Sequence, residues 1–396
     1  MGLTSIGSQK TPGRPVEITF APELGLPSDN QTLLLIGHAA SGATGVNTII
    51  NISNAGDVAA ASGEVASKFG AGSEIANMVI AAVEANAGGS TFPPIKCCPL
   101  DSTETSIPVA AQTAIQAARL GISFLVSPYD MQTLTERNIL KSMAQTMSGA
   151  QRVETQQFGS FGVAANFNVT DPSNLVAFDT QFLIGIYKRD SAPTKSLGET
   201  AARAAAVMAA NAIPYNPLDD VSLRSEAAPT SEADYITVGA GLESETVLNK
   251  GWTPLWIKPN GEVAFVRTVT GRISTDGSGN TAVTAYYDVQ DFQTLYFWRK
   301  TIYTRFSQPD FKQRKASSGP NGTDKDIKSE AIRLASTFED EGMFQAVSKL
   351  AKSFKVERNA SDRHRFDILT PVNVIPGLHV IATNVQATTQ FDVVTV

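Results

Sequence analysis

The sequence predicts a multidomain protein of α/β and α+β class: a sheet-and-helix domain, then a C-terminal domain with β-hairpins and helices, and an extended strand arm at each end. Three observations carry this. Between residues 31 and 212, short apolar runs alternate with helical patterns, the order that builds a sheet covered by helices. After residue 250 the texture changes to strands separated by turn dipeptides. The last residues, Val380 to Val396, alternate as a strand, yet Ile375 to His379 before them reads as a Pro-Gly hinge and supplies no antiparallel partner.

Residues 1–30 read as an extended N-terminal arm with one strand candidate, Val16 to Phe20, whose Val16, Ile18 and Phe20 share a face. A buried strand, Thr32 to Gly37, opens the α/β domain and is followed by a Gly/Ala loop and a short strand at Thr48 to Ile52. Ile75, Met78, Val79, Ala82 and Val83 form one helical face, with Ser73 as N-cap and Gly88-Gly89 as the stop. A strand around Ile95 leads to a helix from Val109 to Arg119, a strand from Gly121 to Pro128 and a helix from Met131 to Met147. Strands at Phe161 to Val169 and Thr180 to Tyr187 precede an Ala-rich helix, Glu199 to Ala212, and the domain is placed at residues 31–229.

Residues 230–375 form the C-terminal domain. Asn260-Gly261 marks a hairpin between TPLWIKP and EVAFVRTVTGRIS, and Asp276-Gly277 marks a second tip. A helical run of mixed charge begins at Asp291, Arg314 to Gly322 is a loop, and Thr323 with Asp326 opens a helix through about Ala351 with a break at Gly342. A strand from Asp362 to Val374 comes last. The arm proper, residues 376–396, places Ile381, Thr383, Val385, Ala387, Phe391 and Val393 on one face. Such a strand pairs far away in its own chain or adds to an open edge on another.

At 396 residues the chain is long enough for two or more cores. Only 18% of it is charged, and Ala, Ser, Thr and Gly are abundant, which suits a chain that buries surface against its own copies. No apolar run reaches the length of a membrane span and the opening residues are polar, so neither membrane insertion nor secretion is expected. The net charge of -6 conceals an asymmetry: Arg299 to Arg365 holds fifteen Lys or Arg against nine Asp or Glu, leaving the rest strongly acidic. That balance argues against direct nucleic-acid binding. Cys97 and Cys98 are adjacent, so they match neither a redox pair nor a zinc set; they read as a buried pair, with an intermolecular bridge as the alternative.

No cofactor, metal or catalytic residue is expected. Gly37 to Thr44 follows a buried strand like a phosphate loop, but Ala43 stands where the lysine belongs. His38, His364 and His379 have no metal-ligand spacing, and neither HExxH nor GxSxG occurs. Asp276 to Asn280 opens like a calcium loop but fails at Thr281 and Tyr287. Lys349, Lys352, Lys355 and Arg358 recur every three residues: on a continuing helix they form one cationic stripe, either a solvated helix end or a docking surface for an acidic partner.

The stretch from Gly251 to Ile302 carries a family resemblance. A strand from Val263 to Thr270 holds Arg267, Val269 and Thr270, and Asp288, Val289, Thr294, Leu295, Phe297 and Arg299 follow in a D-V-x4-T-L-x-F-x-R pattern. Together with the early Gly-rich loop, NAGGS and SPYDMQTL, this resembles the tail sheath proteins of contractile-tailed bacteriophages, the Mu-like group above all. The resemblance implies a non-enzymatic subunit that forms hexameric rings stacked helically around a tail tube. It implies arms that insert as strands into neighbouring subunits, and contraction that drives the tube through the host envelope. The implied partners are the chain itself, the tail tube protein and the baseplate and tail terminator proteins; the implied place is the virion tail, assembled in the host cytoplasm. By position, Lys349 to Arg358 is the candidate surface facing the tube. The rival readings are a nucleotide-binding α/β enzyme using Gly37 to Gly45 and another self-assembling particle protein, such as a bacteriocin sheath, tube or capsid component.

Overall fold

A run such as Thr-Leu-Leu-Leu-Ile-Gly, apolar without alternation, must be covered on both faces, and this places it at the centre of a parallel sheet. In the computed structural model, which describes residues 31–87, 92–118, 121–149, 158–167, 171–210, 217–228, 243–273, 288–307, 324–358 and 366–375, that run is strand β1 (Thr32–His38). It pairs in parallel with β3 (Ile95–Leu100) on one side and β4 (Ile122–Val126) on the other. Strands β5 (Phe161–Asn166), β6 (Leu183–Tyr187) and β7 (Trp252–Ile257) continue the parallel array. Antiparallel strands flank it: β2 (Ile50–Asn51) beside β3, and β8 (Val263–Phe265) beside β7. The order is β2-β3-β1-β4-β5-β6-β7-β8, so the expected hairpin at Asn260-Gly261 forms the last two strands of the same eight-stranded sheet. Gly261 takes φ 84° there, a turn conformation that L side chains resist.

Two helical layers cover the sheet. Helices α1 (Val58–Phe69), α2 (Glu74–Ala85) and α5 (Leu197–Ala210) share a core with Leu33 and Leu35 of β1. Helices α3 (Val109–Ala117), α4 (Leu134–Met147) and α6 (Glu243–Asn249) lie over Leu34 and Ile36 on the opposite face. Alanines on α5 let it nest against α2, and a Cβ on Gly198 would stand 2.8 Å from the Met78 sulfur. Helix α1 is absent from the sequence reading, although Asp57 caps it by accepting from the Ala60 N–H and Ala61, Val65 and Phe69 line its buried face. Ser73 stands at the N-cap of α2 as expected but makes no capping hydrogen bond, and α2 ends at Ala85, before the glycines.

Adjacent residues of a strand face opposite ways. Cys97 therefore enters one core and Cys98 the other, both as buried free thiols. Burial pushes the Cys98 thiol up to about 12.

A separate, smaller core lies beyond the sheet. Helix α7 (Val289–Phe306) begins inside the main core with Val289 and Phe292 and ends in the second with Phe297 and Trp298, while Leu295 packs against both. Phe338, from α8 (Asp324–Asp340), stacks on Phe344 at 4.9 Å between ring centres and meets Trp298 edge-on at 5.1 Å. The break at Gly342 is present, with φ 77°. Beyond it the expected helix does not run on to Ala351: α9 (Val347–Leu350) is a single turn, a tight 3-10 turn covers Ala351–Ser353, and the chain becomes strand β9 (Lys355–Arg358). Burial of Phe354 between these pieces ends the helix, because the apolar residue that seals the core sits where a helix would continue.

Arg305 of α7 and Arg333 both donate to Glu330 at 2.6 Å, joining α7 to α8. The bond from Arg333, then that from Arg305, hold the Glu330 carboxyl down to about 2 against the burial that raises it. An unfolded Glu titrates near 4.3, so this stabilisation is complete above that pH and disappears as pH falls toward 2. Glu330→Gln is accordingly expected to flatten the loss of thermal stability between about pH 4.5 and 2 relative to the parent; parallel slopes in calorimetric scans would refute it.

Candidate functional site

Small sheets are the places where a chain can receive a strand. Strands β9 and β10 (Phe366–Leu369) form a separate antiparallel pair, with Lys355 opposite Leu369 and Arg358 opposite Phe366. Two strands of four residues fall short of the three or more that hold a sheet by themselves. Leu369 is 57% exposed at its end, one of few large apolar side chains so placed among the described residues. The eight-stranded sheet offers less room: β2 has two residues, and the outer edge of β8 is taken by residues 220–223, with Leu223 N–H donating to the Val263 carbonyl at 2.7 Å and Phe265 N–H to Val221 at 3.2 Å.

Two of the four candidate cations lie on this ribbon, and the four do not form one helical stripe. Lys349 lies in α9, Lys352 in the 3-10 turn, and Lys355 and Arg358 in β9. The three lysines are exposed. A spacing of three gives one face only on a helix, and the helix stops at Leu350. The predicted arm residues, Val16, Ile18 and Phe20 at one end and Ile381, Thr383, Val385, Ala387, Phe391 and Val393 at the other, lie outside the described residues, as do the Asp276-Gly277 tip and the Arg314 to Gly322 loop.

At the carboxyl end of β1, where α/β sheets commonly bind ligands, the Gly-rich loop is held by an acid. The Glu74 carboxylate, in the first turn of α2, accepts the His38 backbone N–H at 3.2 Å and lies 2.5 Å from His38 Nδ1. His38 Nε2 is 2.8 Å from the Glu104 carbonyl and 3.0 Å from the Tyr129 hydroxyl. A phosphate approaching this helix start would meet a negative charge already in place. Gly37 serves packing, since a Cβ there would sit 3.2 Å from the Ile75 backbone.

A buried ionic cluster joins β6 to α5 and α2. Lys188 Nζ is 2.9 Å from Glu226 and 3.2 Å from Asp190; Arg203 reaches Glu226 at 3.3 Å and Glu84 at 3.1 Å, and the Thr200 hydroxyl donates to Glu226 at 2.9 Å. Lys188 also lies over the Phe167 ring at 5.3 Å. Every charge has a countercharge, which makes the cluster a fastening rather than a reaction centre. Sequence reading missed it, though a lysine directly after an apolar strand and an arginine inside an Ala-rich helix were both visible signals.

The motif residues of the C-terminal third are clamps. Arg267 holds Asp288 through two bonds of 2.8 and 2.7 Å. Arg299 donates to the carbonyls of Ser148 at 2.7 Å, Gly149 at 2.6 Å and Phe158 at 3.0 Å, placing a cation on the C-terminal end of α4. Among the described residues no group of three or more His, Cys, Asp or Glu is placed to hold a metal, and no helix is long and apolar enough to cross a membrane.

No protein-family model matches the chain, and no curated protein does. Solved structures do. The helical sheath of the anti-feeding prophage, in its contracted state, matches with a TM-score of 0.61 at 13% identity, over 96% of this chain and 99% of that one. A sheath tail protein from Listeria innocua matches with a TM-score of 0.61 at 11% identity, over 88% and 92% of the two chains. The sheath of an extracellular contractile injection system, also contracted, matches with a TM-score of 0.54 at 11% identity, over 96% and 98%. At such identities the likeness is one of fold, and it runs through almost the whole length of both chains.

Proposed function

We propose that this chain is the subunit of a contractile sheath, a structural protein that polymerises as stacked hexameric rings around a tube. The observation that carries the reading is the two-stranded ribbon β9–β10, set on its own small core at the end of a chain that has a sheath fold over nearly its full length. The two arms, at residues 1–30 and 376–396, are the natural source of the missing strands. In this reading a ribbon takes one arm strand from each of two neighbouring copies, through Val16, Ile18 and Phe20 of one and Ile381 to Val393 of the other. Main-chain bonds give such a link strength, and the flanking Pro and Gly residues give it hinges, so subunits turn during contraction without parting. The particle is a phage tail, with the Mu-like group as the resemblance its motifs carry, or a related injection or bacteriocin-like particle. Its further partners are a tube, a baseplate and a terminator, and it is assembled in the host cytoplasm.

Lys349, Lys352, Lys355 and Arg358 are proposed to face an acidic tube. Exposed ion pairs are worth about 0 to 1 kcal/mol each, weak enough to release together on contraction. The Lys349→Glu, Lys352→Glu, Lys355→Glu variant is therefore expected to polymerise on its own while losing tube coating, measured by co-sedimentation with tubes at low and high salt. Coating that equals the parent's would remove the tube-facing assignment.

The direct test is negative-stain electron microscopy of the full chain at rising concentration, alone and with tube protein. Six-fold rings or striated tubes are the expected result; a monodisperse monomer under both conditions would overturn the reading.

A further inference from the structure

A cavity of about 260 Å³ opens among Ala85, Val207, Ala210, Leu218, Val221 and Arg224. It lies where α2 and α5 end and residues 218–224 pass them, held there by Arg224 donating to the Ala87 carbonyl and Arg203 donating to the Arg224 carbonyl. Small-molecule sites begin at roughly 300 Å³; this space is the size for one or two aliphatic side chains. Among the described residues, Arg224, exposed on the rim, is the sole charged one lining it.

The N-terminal segment leaves the described fold close by. Gln31 is buried, its side-chain oxygen accepting from Gln293 Nε2 at 2.8 Å, and that same nitrogen lies 3.3 Å from the Met208 carbonyl, one residue from Val207. Immediately upstream the sequence runs Glu23-Leu24-Gly25-Leu26-Pro27-Ser28-Asp29-Asn30. The five residues back to Leu26 reach at most about 17 Å, more than the ~10 Å width of the helix they must pass. Pro27 biases Leu26 toward extended backbone. Residues 21–30 contain two acids, Glu23 and Asp29, and no Lys or Arg, opposite in sign to Arg224.

We propose that Leu26 of the same chain seats in this cavity, with Leu24 at its mouth and the two acids facing Arg224. The root of the N-terminal arm is thereby anchored in cis, and the part that travels to a neighbour is the part before Glu23. This goes beyond the sheath reading and fails or survives separately from it, because it is tested on the monomer.

The test is bismaleimide crosslinking of the full chain carrying Leu26→Cys and Ala210→Cys, at monomer dilution, with peptide mapping by mass spectrometry. Cys97 and Cys98 are fully buried and stay unreactive in the folded protein. An intrachain 26–210 link is expected, and none when Ser5→Cys replaces Leu26→Cys. No link, or a link only between chains, overturns the proposal, the second result giving the cavity to a neighbour's arm. Independently, Leu26→Asp is expected to speed Glu-specific proteolysis after Glu23 about tenfold, the scale of one lost aliphatic burial, with cleavage after Glu17 unchanged. Equal rates after Glu23 in variant and parent also overturn it.

Discussion

Removing residues 379–396 is expected to abolish tube formation while leaving a folded monomer. The cores of the body are built by residues 33–374, so the truncated chain keeps every side chain that lines them. In the proposed sheath, what the truncation removes is a strand contributed to another copy. A donated strand of about eight residues brings on the order of eight backbone hydrogen bonds, each worth ~0.5 to 1.5 kcal/mol net, so the lost link is several kcal/mol per contact and about a thousandfold or more in assembly affinity. Electron microscopy should show no rings or tubes, with circular dichroism and melting close to the parent's. Tubes from the truncated chain would show that the arm is not the link; loss of the monomer's melting transition would show that it belongs to the fold.

Glu226→Ala is expected to be the most damaging single substitution inside the body. Glu226 accepts from Lys188 and Thr200 and forms an ion pair with Arg203, and both cations are fully buried. Removing it leaves Lys188 with Asp190 and Arg203 with the partly exposed Glu84. Breaking such a pair from one side costs about 3 to 5 kcal/mol, a large part of the ~5 to 15 kcal/mol that holds a domain folded. Urea titration should move the midpoint accordingly. Glu226→Gln, which keeps an acceptor oxygen for Thr200 or Lys188, should lose less. A Glu226→Ala variant within about 0.5 kcal/mol of the parent, the range of surface changes, would mean the cluster is not a fastening at all.

The strands of the sheet were legible because their signals are local, whereas their order and the joining of the hairpin to the same sheet are visible only in the fold. Runs such as Leu33 to Ile36 and Phe124 to Val126 announce strands buried on both faces, and Asn260-Gly261 announces the turn that adds β8. Helix α1 escaped because Ala-Ala-Ala-Ser-Gly weakens its apolar stripe to three residues, Ala61, Val65 and Phe69. The cationic stripe failed on a different ground: its spacing carried the right period, but whether a helix continues past Leu350 is decided by the burial of Phe354, a tertiary event. The ionic cluster was legible only in its two cations, since their pairing with Glu84 and Glu226 comes about through the packing of α2, α5 and β6. Arg299 stands out in the sequence as part of a pattern, while its partners, three carbonyls some 150 residues earlier, are visible only in the fold.

The helix shared by the two cores sets a load path. Helix α7, 18 residues and therefore about 27 Å long, is embedded at one end in the sheet's core and at the other in the core beneath the ribbon. Tension applied at β9–β10 thus enters the main body along a strut whose own hydrogen bonds lie parallel to its axis, with the Arg305–Glu330 and Arg299 clamps acting as lateral ties. Such a member resists bending far better than a loop, so a pull or twist at the ribbon arrives at the sheet as rigid displacement instead of being absorbed in the joint.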